Sequence, residues 1–99
     1  MALDVQHDEK AHKFYAVIDG HEAHVTYHPV GDHTYDLQHT FVPPELRGRR
    51  VADDLVRQVL DETLRRGFQF IPTCPFIKRF LERNPEYQKG VYQKEIGAH

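Results

Sequence analysis

Apolar and polar residues alternate along the first part of the chain. Near residue 50 the apolar positions change to a helical spacing. Residues 12–18 read as a strand: Phe14, Ala16 and Ile18 alternate with Lys13, Tyr15 and Val17, so both faces carry apolar groups. Asp19-Gly20 follows. It is a strong hairpin signal, because both residue types tolerate the positive φ of a tight turn between twisted strands. Residues 22–28 form the return strand, with Ala23, Val25 and Tyr27 on one face and His24, Thr26 and His28 on the other. Pro29 and Gly31 end it. Residues 33–42 make a third strand, and plain alternation puts Tyr35, Leu37, His39 and Phe41 on one side. Residues 1–11 are polar and read as an arm, ordered in part at most.

Beyond residue 50, Val51, Ala52, Leu55, Val56, Val59, Leu60 and Leu64 recur as one face of a helix, while Asp61, Glu62, Arg65 and Arg66 fill much of the other. Gly67 stops it, just after two basic residues that suit the negative end of a helix. Residues 68–71 form a short apolar strand closed by Pro72. Strand, helix and strand in this order imply a right-handed crossover, with the last strand parallel to the third. A second helix is predicted from near Cys74, with Pro75 at its first position, where a missing N–H does no harm. Phe76, Ile77, Phe80 and Leu81 give its apolar stripe, and Asn84-Pro85 ends it. Residues 86–92 read as an irregular tail or short turn, and residues 93–99 as a loose end. The fold class is α+β: a mainly antiparallel sheet, a three-strand meander plus one parallel strand, with two principal helices. One domain spans residues 12–92.

Composition narrows the function classes. The chain has 99 residues, 39% hydrophobic and 28% charged, as in an ordinary globular domain. A net charge of −2 gives no general electrostatic case for a nucleic-acid or membrane partner. The first ten residues lack the apolar run of a signal peptide, and no stretch approaches the ~18 apolar residues of a membrane helix. The single cysteine, Cys74, cannot form an internal disulfide, which fits a reducing compartment and a cytoplasmic location. The eight histidines show no zinc-site spacing, and His24 and His28 lie too far apart along a strand to chelate one metal easily, so no metal is expected.

Two places carry candidate chemistry. Arg47, Gly48, Arg49 and Arg50 sit at the start of the first helix, where basic side chains oppose the helix dipole. A bound anion would resolve that conflict by meeting both the free amides and the guanidinium groups. Gly48 would let the backbone approach a phosphate. The bland alternative is a solvated basic turn. Cys74 stands at the start of the second helix, where a thiolate is stabilised and becomes a nucleophile for acyl transfer. The alternative is an inert buried thiol. His39 is the natural general base beside it, or else a core histidine with satisfied nitrogens. Asn84 is either a ligand contact or a helix end chosen for its turn geometry.

The run Phe41-Val42-Pro43-Pro44-Glu45-Leu46-Arg47-Gly48-Arg49-Arg50-Val51-Ala52 resembles the acetyl-coenzyme A signature of the GNAT N-acetyltransferase superfamily. In that signature an Arg or Gln precedes a glycine-rich turn that opens a helix over the pyrophosphate. The small single-domain GNAT-like proteins are more similar still: Cys74-Pro75-Phe76 follows the next strand, Asn84-Pro85 follows the second helix, and His39-Thr40 precedes the run. In the family pattern Arg-x-x-Gly-x-Ala a glycine stands where this chain has Arg50. An arginine there fits if its backbone takes helical angles and its side chain points outward, where it would either add a phosphate contact or weaken cofactor binding.

The resemblance implies an N-acetyltransferase that passes an acetyl group from acetyl-CoA to a primary amine, on a small molecule or on a protein lysine or N-terminus. It implies cofactor contacts from Phe41, Val42, Arg47, Gly48, Arg49, Arg50, Val51, Ala52 and Asn84, with Cys74 and His39 as catalytic residues. This chain offers none of the N-terminal helices that full-length members wrap around an acceptor, so the acceptor half of the site is undefined. A module that binds CoA or acyl-CoA without transfer is the alternative. The expected state is a monomer or a weak homodimer through exposed strand edges.

Overall fold

Alternate burial along three neighbouring strands builds the sheet. In the computed structural model, which describes residues 3–48 and 50–92, Lys13–Ile18 (β2) buries Phe14 and Ala16. His21–Val30 (β3) buries Ala23, Val25 and Tyr27. Asp19 and Gly20, at φ 52° and 80°, join them in a two-residue turn. β3 runs on through Pro29, past the point where β2 ends, so the missing N–H takes no bond from a ladder.

Thr34–Phe41 (β4) pairs antiparallel with β3. Helix α1, Val51–Arg65, then crosses over, and Gln69–Pro72 (β5) lies parallel to β4. Val51, Leu55, Val56, Val59, Leu60 and Thr63 form the buried stripe of α1. Its stop is local: Gly67 has φ 79°, Phe68 N–H donates to Thr63 O and Gly67 N–H to Leu64 O, which together close the last turn. Helix α2, Pro75–Arg83, buries Ile77, Phe80 and Leu81. A 3-10 turn, Pro85–Gly90, follows. A Cβ on Gly90 would lie 2.3 Å from Leu64 Cδ2 and 2.8 Å from Phe70, so glycine lets this turn close over the sheet edge. There Tyr92 N–H donates to Phe70 O.

The core residues of the strands all lie on the face that α1 and α2 cover. Lys13, Tyr15 and Val17 of β2, and His24, Thr26 and His28 of β3, lie on the other face, where none is buried. The strand order is β1-β2-β3-β4-β5.

The polar arm expected over residues 1–11 is partly strand: Gln6–Asp8 (β1) pairs antiparallel with β2. Leu3 and Val5 pack on the core, and the His7 ring stacks on Phe14 at 4.1 Å. The alternation of Leu3, Val5 and His7 was the available signal. The loose end expected over residues 93–99 lies outside the described residues. Among the described residues no helix is long and apolar enough to cross a membrane.

His7 fastens β1 in one protonation state. Arg66 Nη1 lies 3.0 Å from Nδ1, and an arginine only donates, so Nδ1 accepts. Nε2 then carries the hydrogen and donates to the Tyr27 hydroxyl. Burial, reinforced by the Arg66 charge, holds the imidazole below its usual pKa. The unfolded chain therefore takes up this proton at a higher pH than the folded one. The His7 contribution is complete above about pH 6.5 and is lost as the pH falls through the lowered folded value. Denaturant unfolding near neutral pH and near about pH 5 should show less acid loss in His7→Leu than in the parent chain. An equal loss in both would place the acid sensitivity elsewhere.

Candidate functional site

The ladder between β4 and β5 stops at Leu37 and Pro72. Cys74 N–H makes the last link, donating to Leu37 O at 2.9 Å. Past this point β4 stays paired with β3 alone, and the two parallel strands part. A bulge falls at the same place. Tyr27 opposes Leu37 and Thr26 opposes His39, so Gln38 is an extra residue in β4.

The bulge reverses the faces expected from plain alternation. Directly opposed residues share a face. Thr40 opposes the buried Val25 and so turns toward the helices, while His39 opposes Thr26 and turns to the open face. Phe41 opposes His24 there, ring to ring at 5.4 Å. His39 is thus exposed and is not a core histidine. Nor does it hold the cysteine: Thr40 Oγ1 shares a hydrogen bond with Cys74 Sγ at 3.5 Å. Sequence reasoning missed Thr40 because the extra residue leaves no mark in the local pattern.

Cys74 is the N-cap of α2 and only 4% exposed. Burial pushes its thiol pKa up. The Thr40 hydroxyl, the amides of Ile77 and Phe76 in the first turn of α2, and the Thr40 amide outweigh burial and hold it below the ordinary cysteine value. The environment therefore favours thiolate in a closed place.

A cavity of about 540 Å³ opens where the strands part. His39, Thr40, Phe41 and Val42 of the β4 end form one wall. Arg47, Gly48, Arg50, Val51, Ala52 and Asp53 form another, and Phe76 of α2 closes it. The wall is anchored by Leu46, fully buried in the 3-10 turn Pro44–Leu46, and by Arg47, whose Nε donates to Val42 O at 3.1 Å. Gly48 has φ 82°. Arg50, the N-cap of α1, sits at φ 61°, ψ 19° and caps nothing with its side chain. Its backbone is left-handed, not helical as expected, because the turn must reverse sharply into α1. The first amides of α1 consequently have no acceptor within the helix, and Val51, Ala52 and Asp53 bring that positive end to the cavity.

The remaining sequence candidates are elsewhere. Cys74 does not line the cavity; it lies behind the wall, against Thr40. Asn84 sits at the far end of α2, roughly 15 Å from Cys74 at 1.5 Å rise per residue. Its amide donates to Phe80 O, and its carbonyl accepts from Arg57. Asn84 therefore works as a helix end. Arg49 lies outside the described residues. Asp53, which sequence reasoning passed over, is held from α2 by Arg83, with Nη2 at 3.2 Å and Nη1 at 3.3 Å from its two oxygens. Among the described residues no three His, Cys, Asp or Glu side chains gather as a metal site.

Comparison with known proteins shows the family and the fold. The sequence profile of the GCN5-related N-acetyl-transferases matches residues 13–90. Protein NATD1 of Danio rerio is 36% identical over 88 residues, 87% of this chain and 80% of that protein. Protein NATD1 of Homo sapiens is 35% identical over 84% of this chain and 75% of that protein. The solution structure of a GCN5-like protein from Staphylococcus aureus superposes with a TM-score of 0.67 at 28% identity, covering 98% of this chain and 97% of that one.

A left-handed backbone at a non-glycine residue costs roughly 1 kcal/mol or somewhat more. Arg50→Gly should therefore raise the unfolding free energy by about 0.5–1 kcal/mol, against Gly48→Ala, which should lower it. Urea midpoints at unchanged slope would show both, and a destabilised Arg50→Gly would mean the arginine side chain contributes more than its backbone loses.

Proposed function

The chain belongs to the GCN5-related N-acetyltransferase family, and we propose from that premise that it transfers an acetyl group from acetyl-CoA to a primary amine. One observation carries this reading: a single cavity joins an open helix N-terminus to the place where two parallel strands part. Its volume lies in the range of cofactor clefts. The residues present fit the coenzyme. Free amides of residues 50–52, with Arg47 and Arg50, suit phosphates. Phe41, Val42 and Phe76 supply an apolar wall for the rest.

The coenzyme supplies a thioester whose carbonyl carbon accepts the amine nitrogen while the sulfur departs. Strand amides at the end of β4 polarise that carbonyl. His39 faces the open side of the sheet, so it takes the proton of an amine arriving there and not the proton of Cys74. Cys74, tuned toward thiolate by Thr40 and the α2 amides, either carries the acetyl group in a two-step route or gives a proton to the departing sulfur. The acceptor is a small molecule, or a lysine or N-terminus of a protein, met in the cytoplasm by a monomer or weak homodimer. The second reading is a module that binds CoA or acyl-CoA without transfer. The near-complete burial of Cys74 favours it.

Thermal unfolding with acetyl-CoA, free CoA and plain phosphate tests the cavity. A ligand bound only by the folded state stabilises by about 2.7 kcal/mol at a hundredfold excess over its Kd. The expected result is a saturable rise with both coenzymes and none with phosphate; no rise would remove the coenzyme from the reading.

Transfer is tested separately with Cys74→Ala. Turnover should fall on the order of a hundredfold with coenzyme binding retained. An acetyl adduct on Cys74 by mass spectrometry selects the two-step route. Full turnover in the variant would leave Cys74 a packing residue.

A further inference from the structure

Asp53 stands in the wrong place for a phosphate site. It lies in the first turn of α1, beside the amides and arginines that attract an anion, and it lines the same cavity. Among the described lining residues it is the one carboxylate. A carboxylate in the first helical turn ordinarily satisfies the dipole itself. Left alone, Asp53 would both compete for the open amides and repel an incoming phosphate.

Arg83 counters this from the other helix. Each of its two terminal nitrogens donates to a different Asp53 oxygen, a forked pairing that turns the carboxylate toward α2. The guanidinium sits 6.0 Å from the Phe80 ring centroid, in the last turn of α2, where a cation also suits the helix dipole. Arg57 repeats the connection one turn along, from α1 to Asn84. Charge at the mouth of the α1 turn is therefore set by a residue that does not itself line the cavity.

We infer that Arg83 is a positioning residue for phosphate recognition: by engaging Asp53 it removes the one negative charge from the phosphate wall of the cavity. The inference rests on the coenzyme reading above. It predicts an effect carried through Asp53 and not by contact between Arg83 and the ligand.

The test is a calorimetric titration of acetyl-CoA into the parent chain, Arg83→Gln, Asp53→Asn and the double variant, at low and high salt. Arg83→Gln should weaken binding about fivefold, the size of one exposed like-charge interaction at close range. The double variant should return to the parent affinity or better. The weakening should fade toward about 1 M salt, where such charges are screened. Arg83→Gln removes a surface ion pair and a peripheral contact with the Phe80 ring, so the fold should persist, and its thermal midpoint checks that. An unchanged affinity in Arg83→Gln overturns the inference. A loss that Asp53→Asn does not rescue also overturns it, since Arg83 would then act on the ligand directly or through packing. If the parent chain itself binds no acetyl-CoA, the coenzyme reading fails first and this inference falls with it.

Discussion

One extra residue in β4 decides where everything in the site points. Without the bulge, Gln38 would oppose Thr26, β4 would keep its alternation, and His39 would face the helices with Tyr35 and Leu37. With it, Thr40 takes the inward position and reaches Cys74, and His39 moves to the open face. The same few residues see the β4–β5 ladder end at Leu37 and Pro72. A bulge bends its strand and increases local twist. Twist at the last shared rung favours divergence, and divergence leaves the end of β4 without a β5 partner. Inward threonine, outward histidine and open strand edge thus share one structural cause.

The elements that were legible in the sequence are those with local causes. Asp19-Gly20 specifies a two-residue turn whatever surrounds it. The α1 stripe and the Gly67 stop are written within a few turns of one helix, and Pro75 marks the start of α2 in the same way. The strand–helix–strand order implies the parallel pair because crossovers are right-handed. What was not legible depends on residues far apart in the chain. The bulge is a register between β3 and β4, and no single strand reports it. The short strand β1 forms because His7 meets Phe14 and Arg66, the latter fifty-nine positions away. Asp53 and Arg83 are thirty apart and unremarkable singly. Arg50 was visible as a departure from the family pattern, but its left-handed backbone follows from the path between the buried Leu46 and α1.

Cys74 shows how opposed demands meet in one side chain. Burial raises the thiol pKa and shields the sulfur, while the open end of α2 and the Thr40 hydroxyl stabilise the thiolate. A purely structural cysteine has no use for the second set of contacts, and a freely reactive one would not be this enclosed.

The one-sided packing of the sheet gives that cavity two approaches of different character. α1 and α2 cover one face, and their N-termini meet the cavity there, so the helix side carries the positive, anion-attracting end. The other face is uncovered and presents Lys13, Glu22, His24, Thr26 and His39, polar groups that need no helix over them. Phe41, its largest exposed ring at 37%, is partly shielded by His24. A ligand held by the α1 turn necessarily leaves this face free. The bulge puts the imidazole of His39 on this face, beside the parting strands. Separation of the two approaches follows from a sheet with helices on one side only.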